Sequence, residues 1–117
     1  MVAYMNERAR AEGLQNFSAV KGDVASTGLS PNSIDAAAIV NSFSFFDRQP
    51  EMLKSLAATI KPGGMLVIVD APREGQGSSA TGIDADDVVA LASAAGFTRF
   101  DEVGIVPGEY ALRFRRP

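Results

Sequence analysis

Ile60-Lys61-Pro62-Gly63-Gly64-Met65-Leu66-Val67-Ile68-Val69-Asp70 is the stretch that decides the fold. A residue before proline is pushed out of the helical region, and Pro-Gly suits the two central positions of a type II turn, so Lys61 to Gly64 predicts a turn. Met65 to Val69 is then a wholly apolar run, the pattern of a strand buried on both faces of a sheet. Asp70 ends it and opens a polar loop over 71–82, whose tract from Gly75 to Gly82 is rich in glycine and serine. Upstream, Met52, Leu53, Leu56, Ala57 and Ile60 form one apolar stripe at helical spacing. Pro50 stands where proline favours the first helical position, and Pro62 is the expected stop.

The same logic extends outward. Ser30 to Ser33 is a turn cluster, and Ile34 to Val40 is nearly all apolar, which predicts a second strand buried on both faces. Asn41 to Phe46 mixes aromatic rings with hydroxyls. Before it, Phe17 to Val20 reads as a short strand ending in a Gly22-Asp23 loop, and Val2 to Glu12 as an amphipathic helix ending at Gly13. No capping residue precedes that helix, so its beginning looks cut. Downstream, Asp84 can cap a helix with Asp86 and Asp87 in its positive first turn and Ile83 spaced to staple Val88. Gly96 ends it. Phe97 to Ile105 and Tyr110 to Arg115, joined through Pro107-Gly108, predict an antiparallel pair. Helices between continuous apolar strands give an α/β class, a mostly parallel sheet with a C-terminal antiparallel hairpin in a single domain over 1–117. Ligands of such sheets sit beyond the carboxyl ends of the parallel strands, here Gly22-Asp23, Asn41-Ser42 and Asp70.

Composition narrows the chemistry. The 117 residues contain no His and no Cys, which removes imidazole acid–base catalysis, thiol nucleophiles, thiolate zinc sites and disulfides. A net charge of −3, from 11 Lys+Arg against 14 Asp+Glu, argues against nucleic acid as a partner, because such binders need a basic face. The longest apolar run is far short of a membrane span and the N-terminus has no apolar signal core, so a cytoplasmic protein acting on a small molecule is expected. Asp84, Asp86 and Asp87 do not form a calcium-loop pattern and read as helix-start residues rather than a metal site. Arg113, Arg115 and Arg116 read as charges protecting an edge strand.

In their order, Ala11-Glu12-Gly13-Leu14, Val20-Lys21-Gly22-Asp23, Ser33-Ile34-Asp35-Ala36-Ala37, the stretch from Ile60 to Asp70, and Ala94-Ala95-Gly96-Phe97 resemble class I S-adenosylmethionine-dependent methyltransferases, in particular their small-molecule, UbiE-like branch. The resemblance spans nearly the whole chain and implies a Rossmann-like sheet and S-adenosylmethionine as cofactor. It implies cofactor contacts at Gly22, Asp23 and Val24, with Asp23 accepting from the adenine amino group and the Val24 amide binding a ring nitrogen. One acceptor and one donor suffice to read an adenine edge. Asn41 and Ser42 fall where the family holds the methionine part of the cofactor. Phe43, Phe45 and Phe46 are candidates for the substrate pocket, or else for the core. Related sequences often carry His where Ser44 or Phe45 stands here, so no catalytic residue is assigned, and transfer would rest on positioning.

The family's first strand, its Gly-rich cofactor loop and the acidic residue after its second strand have no counterpart in these residues. The expectation is a truncated member, with a gap between the 17–20 strand and the 34–40 strand. Such a gap would be met by the chain closing up on itself, by a homodimer or by a complementing N-terminal chain. The alternative function is a non-enzymatic remnant that binds a partner through those open surfaces. A nicotinamide-dependent domain ranks last, since its phosphate loop is missing too.

Overall fold

The computed structural model describes residues 2–23, 25–75, 81–103 and 108–117. Along the chain run α1 (Val2–Ala11), β1 (Ile34–Val40), a single 3-10 turn (Phe43–Phe45), α2 (Gln49–Thr59), β2 (Ile60–Asp70), α3 (Ala85–Ala94), β3 (Thr98–Val103) and β4 (Tyr110–Arg115). The four strands form one sheet in the order β1-β2-β4-β3. β1 and β2 are parallel, with Ala37 opposite Leu66 and Ile39 opposite Ile68. β4 runs antiparallel to both β2 and β3. The α/β class and the C-terminal hairpin are as expected, and the sheet is mixed.

The Lys-Pro-Gly-Gly stretch works differently from a free turn. α2 stops at Thr59, before the proline, and Ile60 is already extended. β2 carries the irregular residues within it, so its register against β1 jumps from Ile34↔Ile60 to Ala36↔Met65. The two glycines have separate reasons. Gly63 takes φ +81, open to glycine at no steric cost. At Gly64 a Cβ would lie 2.6 Å from the Asp35 carbonyl oxygen and 2.8 Å from that of Lys61, so only glycine lets β1 pass this close. The C-terminus closes the bulge: Gly63 donates to the Arg116 carbonyl and Arg116 back to that of Gly64, while the Arg116 guanidinium reaches the Ile60 carbonyl and Asn32. Arg113 pairs with Asp101 across β4 and β3 and holds that carboxyl below its usual range. β4 lies between β2 and β3, so Arg113 does not protect an edge strand as expected, and it and Arg116 make structural contacts.

One sheet face holds the core. Ile39, Leu66, Ile68, Leu112 and Phe114 pack with Leu53 and Leu56 of α2 and Val88 and Ala92 of α3. Burial of such side chains contributes about 1.5–3 kcal/mol each. Neither α2 nor α3 covers the other face, so β1 is not buried on both sides: Ala36 and Ala38 are exposed and Val40 is 57% exposed. Val67 and Val69 of β2 are half-buried.

Phe17 to Val20 is not a strand. A strand needs a neighbour for its ladder, and none lies beside it in the described residues. In place of a strand partner, the Asn6 side chain of α1 accepts from the Ala19 amide at 2.6 Å and donates to the Ala19 carbonyl at 2.7 Å. Phe17 and Val20 stay exposed. Farther on, Thr27 anchors the chain to α2, its amide on the Ser55 hydroxyl and its hydroxyl on buried Thr59.

Candidate functional site

The parallel pair ends at Val40 and Asp70, and the chain leaves both strands on the same side of the sheet, as the position of ligand sites in α/β sheets requires. Asn41 follows β1 with φ +55, a left-handed conformation that asparagine tolerates well, and its amide donates to the Val69 carbonyl at 2.8 Å. The chain then winds through the 3-10 turn, whose Phe43 carbonyl accepts from the Gln49 amide group at 3.1 Å. After β2, described residues on either side of 76–80 meet: Glu74 and Thr81 exchange two backbone hydrogen bonds of 2.8 Å, and the Ile83 amide donates to the Ala71 carbonyl at 2.9 Å. Gly82 permits this closeness, since a Cβ there would lie 2.6 Å from the Ala71 and Pro72 carbonyls.

Between these segments lies a cavity of about 390 Å³ lined by Asn41, Ser44, Phe45, Asp70, Ala71, Pro72, Glu74, Thr81, Gly82, Gly108 and Glu109. A second, of about 440 Å³, shares Ser44 and Gly82 with it and is lined further by Gln49, Arg73, Ile83, Asp84, Asp87, Ala90 and Leu91. Asp84 stands at the start of α3, but its carboxylate caps no amide of that helix. It accepts instead from the Arg73 amide at 3.0 Å, fixing the loop rather than the helix.

Asp70 is the chemical centre of the larger picture. It is 4% exposed, and one carboxylate oxygen accepts from the Ala71 amide at 2.8 Å. Its Oδ2 and the Ser44 hydroxyl are both buried without a hydrogen-bond partner. An unsatisfied buried polar atom costs about 1–3 kcal/mol, more when charged, and native structures keep few of them. Tyr110 stands opposite Asp70 in the sheet and donates its hydroxyl to the Ile83 carbonyl. Burial, with the nearby charges of Asp70, Asp84, Asp87 and Glu102, pushes its phenol well above the usual range, so it remains a donor.

The candidates named from sequence separate. Asn41 and Phe45 line the 390 Å³ cavity. Ser42 precedes the 3-10 turn without a capping bond from its side chain, and lines neither cavity. Phe43 is 0% exposed and belongs to the core, with Phe46 against it at 5.6 Å between ring centroids. Phe45 points out, 66% exposed. Gly22 and Asp23 form a separate turn in which the Asp23 amide donates to the Ser26 carbonyl at 2.8 Å, and Gly22 is pressed against that same carbonyl. They line neither cavity, and Val24 lies outside the described residues. Sequence reasoning named Asp70 among the strand ends where ligands sit without giving it a role, left Glu74 between a lid over a substrate and a solvated connector, and passed over Glu109. The available signal was a carboxylate closing an apolar strand at the ligand-binding end of the sheet.

These residues fit S-adenosylmethionine by their chemistry. A cavity wall carrying Asp70, Glu74 and Glu109 suits a ligand with an ammonium and a sulfonium, whereas Asp23, expected at the adenine, lines neither cavity. Among the described residues no group of acidic side chains is placed to hold a metal ion, and no helix is long and apolar enough to cross a membrane.

Comparison with known proteins agrees with this geometry. Residues 1–68 match the model of a methyltransferase domain. Among solved structures, a SAM-dependent methyltransferase from Aquifex aeolicus superposes with a TM-score of 0.85 at 19% identity, over 99% of this chain and 63% of that one. The 4+2 cyclase SpnF gives 0.80 at 20% identity, with coverage of 99% and 63%. A SAM-dependent methyltransferase from Thermotoga maritima, described as a possible histamine N-methyltransferase, gives 0.73 at 20% identity, with coverage of 97% and 70%. The chain therefore spans less than two thirds of the first two structures it resembles. At these identities the likeness is one of fold. No curated protein matches the sequence.

Proposed function

The chain belongs to the methyltransferase-domain family, and on that premise we propose that it transfers a methyl group from S-adenosylmethionine to a small molecule, as in the UbiE-like branch. The observation that carries this reading is the cavity at the carboxyl ends of β1 and β2, where Asn41, Ser44 and Asp70 converge. When bound, the cofactor supplies an electrophilic methyl group on a sulfonium. Asp23 would accept from the adenine amino group, with Gly22 and Val24 beside it, and Asn41 and Ser42 would hold the amino-acid end. Phe45 and the loop after β2 would shield the reacting groups from water. No imidazole is present to take a proton, so the chain's contribution is to bind, orient and desolvate.

Calorimetric titration with S-adenosylhomocysteine, to millimolar concentration, tests the reading. Saturable binding that Asp23→Ala weakens at least tenfold is the expected result. Absence of binding by folded protein would set the reading aside.

The second reading, a module that binds another polypeptide, is favoured by β1. It is an edge strand with an exposed apolar end at Val40 and no proline or lysine along it. A second copy, or a complementing chain, would add its strand there. Sedimentation showing a monomer across the micromolar range counts against self-pairing. A cytoplasmic setting, with neither nucleic acid nor membrane as partner, completes the proposal.

A further inference from the structure

We propose that Asp70, with Ser44, is a recognition site for the ammonium group of a small amine, and that this amine is the acceptor class: the ammonium gives up its proton to water, the freed nitrogen lone pair forms the N–CH3 bond as the S–CH3 bond breaks, and S-adenosylhomocysteine leaves. The argument begins with Asp70 Oδ2, a carboxylate oxygen removed from solvent with no donor to meet it, in a residue that walls a cavity of about 390 Å³. The Ser44 hydroxyl on the same wall is also without a partner. Native structures keep few buried unpaired polar atoms, and two of them in residues of one cavity wall mark it as a candidate ligand site.

The charge of the wall selects the ligand. Asp70, Glu74 and Glu109 all line the cavity, and among its described lining residues there is no Lys or Arg, Arg73 lining the adjoining one. Residues 76–80 and 104–107, which flank the lining loops in sequence, contain no basic residue either. A carboxylate or phosphate ligand would add charge to an already negative wall, and a neutral hydroxyl would leave the Asp70 charge uncompensated. An alkylammonium supplies both a counter-charge and donors enough for Asp70 and Ser44 together. Phe45, its ring exposed at the rim, offers an aromatic face to the body of the ligand or to the cation. The volume is that of a small organic molecule.

The recognition of an amine stands on the cavity alone, and only its role as methyl acceptor rests on the function proposed above. 2-Phenylethylamine and its neutral analogue 2-phenylethanol are the probes, titrated by calorimetry into wild-type protein, Asp70→Asn, Ser44→Ala and Asp23→Ala, with thermal melts to show that each variant is folded. The expected result is saturable binding of the amine, at least tenfold tighter than the alcohol. Asp70→Asn, which keeps the shape and the acceptor for Ala71, abolishes that preference; Ser44→Ala weakens the amine a few-fold; Asp23→Ala leaves it unchanged.

A folded Asp70→Asn protein that still prefers the amine tenfold overturns the proposal, as does wild-type protein that binds neither probe. S-adenosylhomocysteine, which carries an ammonium of its own, is the second arm. If Asp70→Asn abolishes its binding while phenylethylamine fails to bind wild type, the ammonium belongs to the cofactor and the acceptor assignment falls. If S-adenosylhomocysteine fails to bind but the amine preference holds, the amine site survives and the methyltransferase reading fails.

Discussion

Met65–Val69 and Phe17–Val20 both read as strands, yet only the first is one. β2 lies between β1 and β4, so its backbone groups find partners on both sides and its Leu66 and Ile68 are fully buried. The 17–20 segment has a short apolar pattern but no neighbouring strand, and an asparagine side chain serves the one residue it can reach. Apolar pattern therefore nominates a strand, and a ladder partner makes it one. The same contrast appears within β1, whose paired side is continuous with the core while its outer edge and one face stay open.

The sharpest way to break the contrast is to remove a central side chain. Leu66→Ala is expected to cost about 2–5 kcal/mol by urea denaturation, since it empties a site that is fully enclosed. Gly64→Ala should cost about 1–3 kcal/mol and loosen the β1–β2 register, because the new methyl group meets backbone oxygens that cannot swing aside. Hydrogen exchange in β1 would report the loosening, and unchanged protection there would refute the close-approach argument. Tyr110→Phe should cost about 1 kcal/mol for the lost hydrogen bond to the Ile83 carbonyl. At the small end, Phe17→Ser should stay within about 0.5 kcal/mol, as exposed positions do. A loss comparable to Leu66→Ala would mean that the 17–20 segment is packed after all.

Tyr110 also sharpens the comparison through pH. Its folded phenol titrates above the ordinary tyrosine value of 10.0, so the folded state holds a proton that the unfolded chain gives up first. The stability from this group is complete below about pH 10 and is lost as pH rises from there toward the folded value. Stability measured from pH 8 upward should fall less steeply in Tyr110→Phe than in wild type. Equal slopes would place the phenol in a more open setting than its burial implies.

Much of the fold was legible because it follows from local chemistry. Gly13 and Gly96, with φ +73 and +100, stand just beyond the helices they were expected to end, and Tyr110–Arg115 is a strand with the expected bounds. Asp84 stands at the N-cap of α3 as expected, but its carboxylate is taken by a distant competitor, the Arg73 amide, that no local pattern announces. Among the aromatics, Phe43 and Phe45 are two residues apart and chemically identical; the 3-10 turn sends one into the core and the other outward.

The sequence by itself determined the α/β class, the helix ends at Gly13 and Gly96 and the lack of imidazole and thiol groups in these 117 residues, since each depends on backbone sterics or residue type within a few positions. Only the tertiary structure decided that 17–20 has no ladder among the described residues, that α2 and α3 cover one sheet face while Ala36, Ala38 and Val40 of β1 stay exposed on the other, and that Asp70, Ser44 and Asn41 line one cavity. These outcomes depend on which groups from distant parts of the chain come within hydrogen-bonding or van der Waals reach, and neither reach is encoded in local spacing.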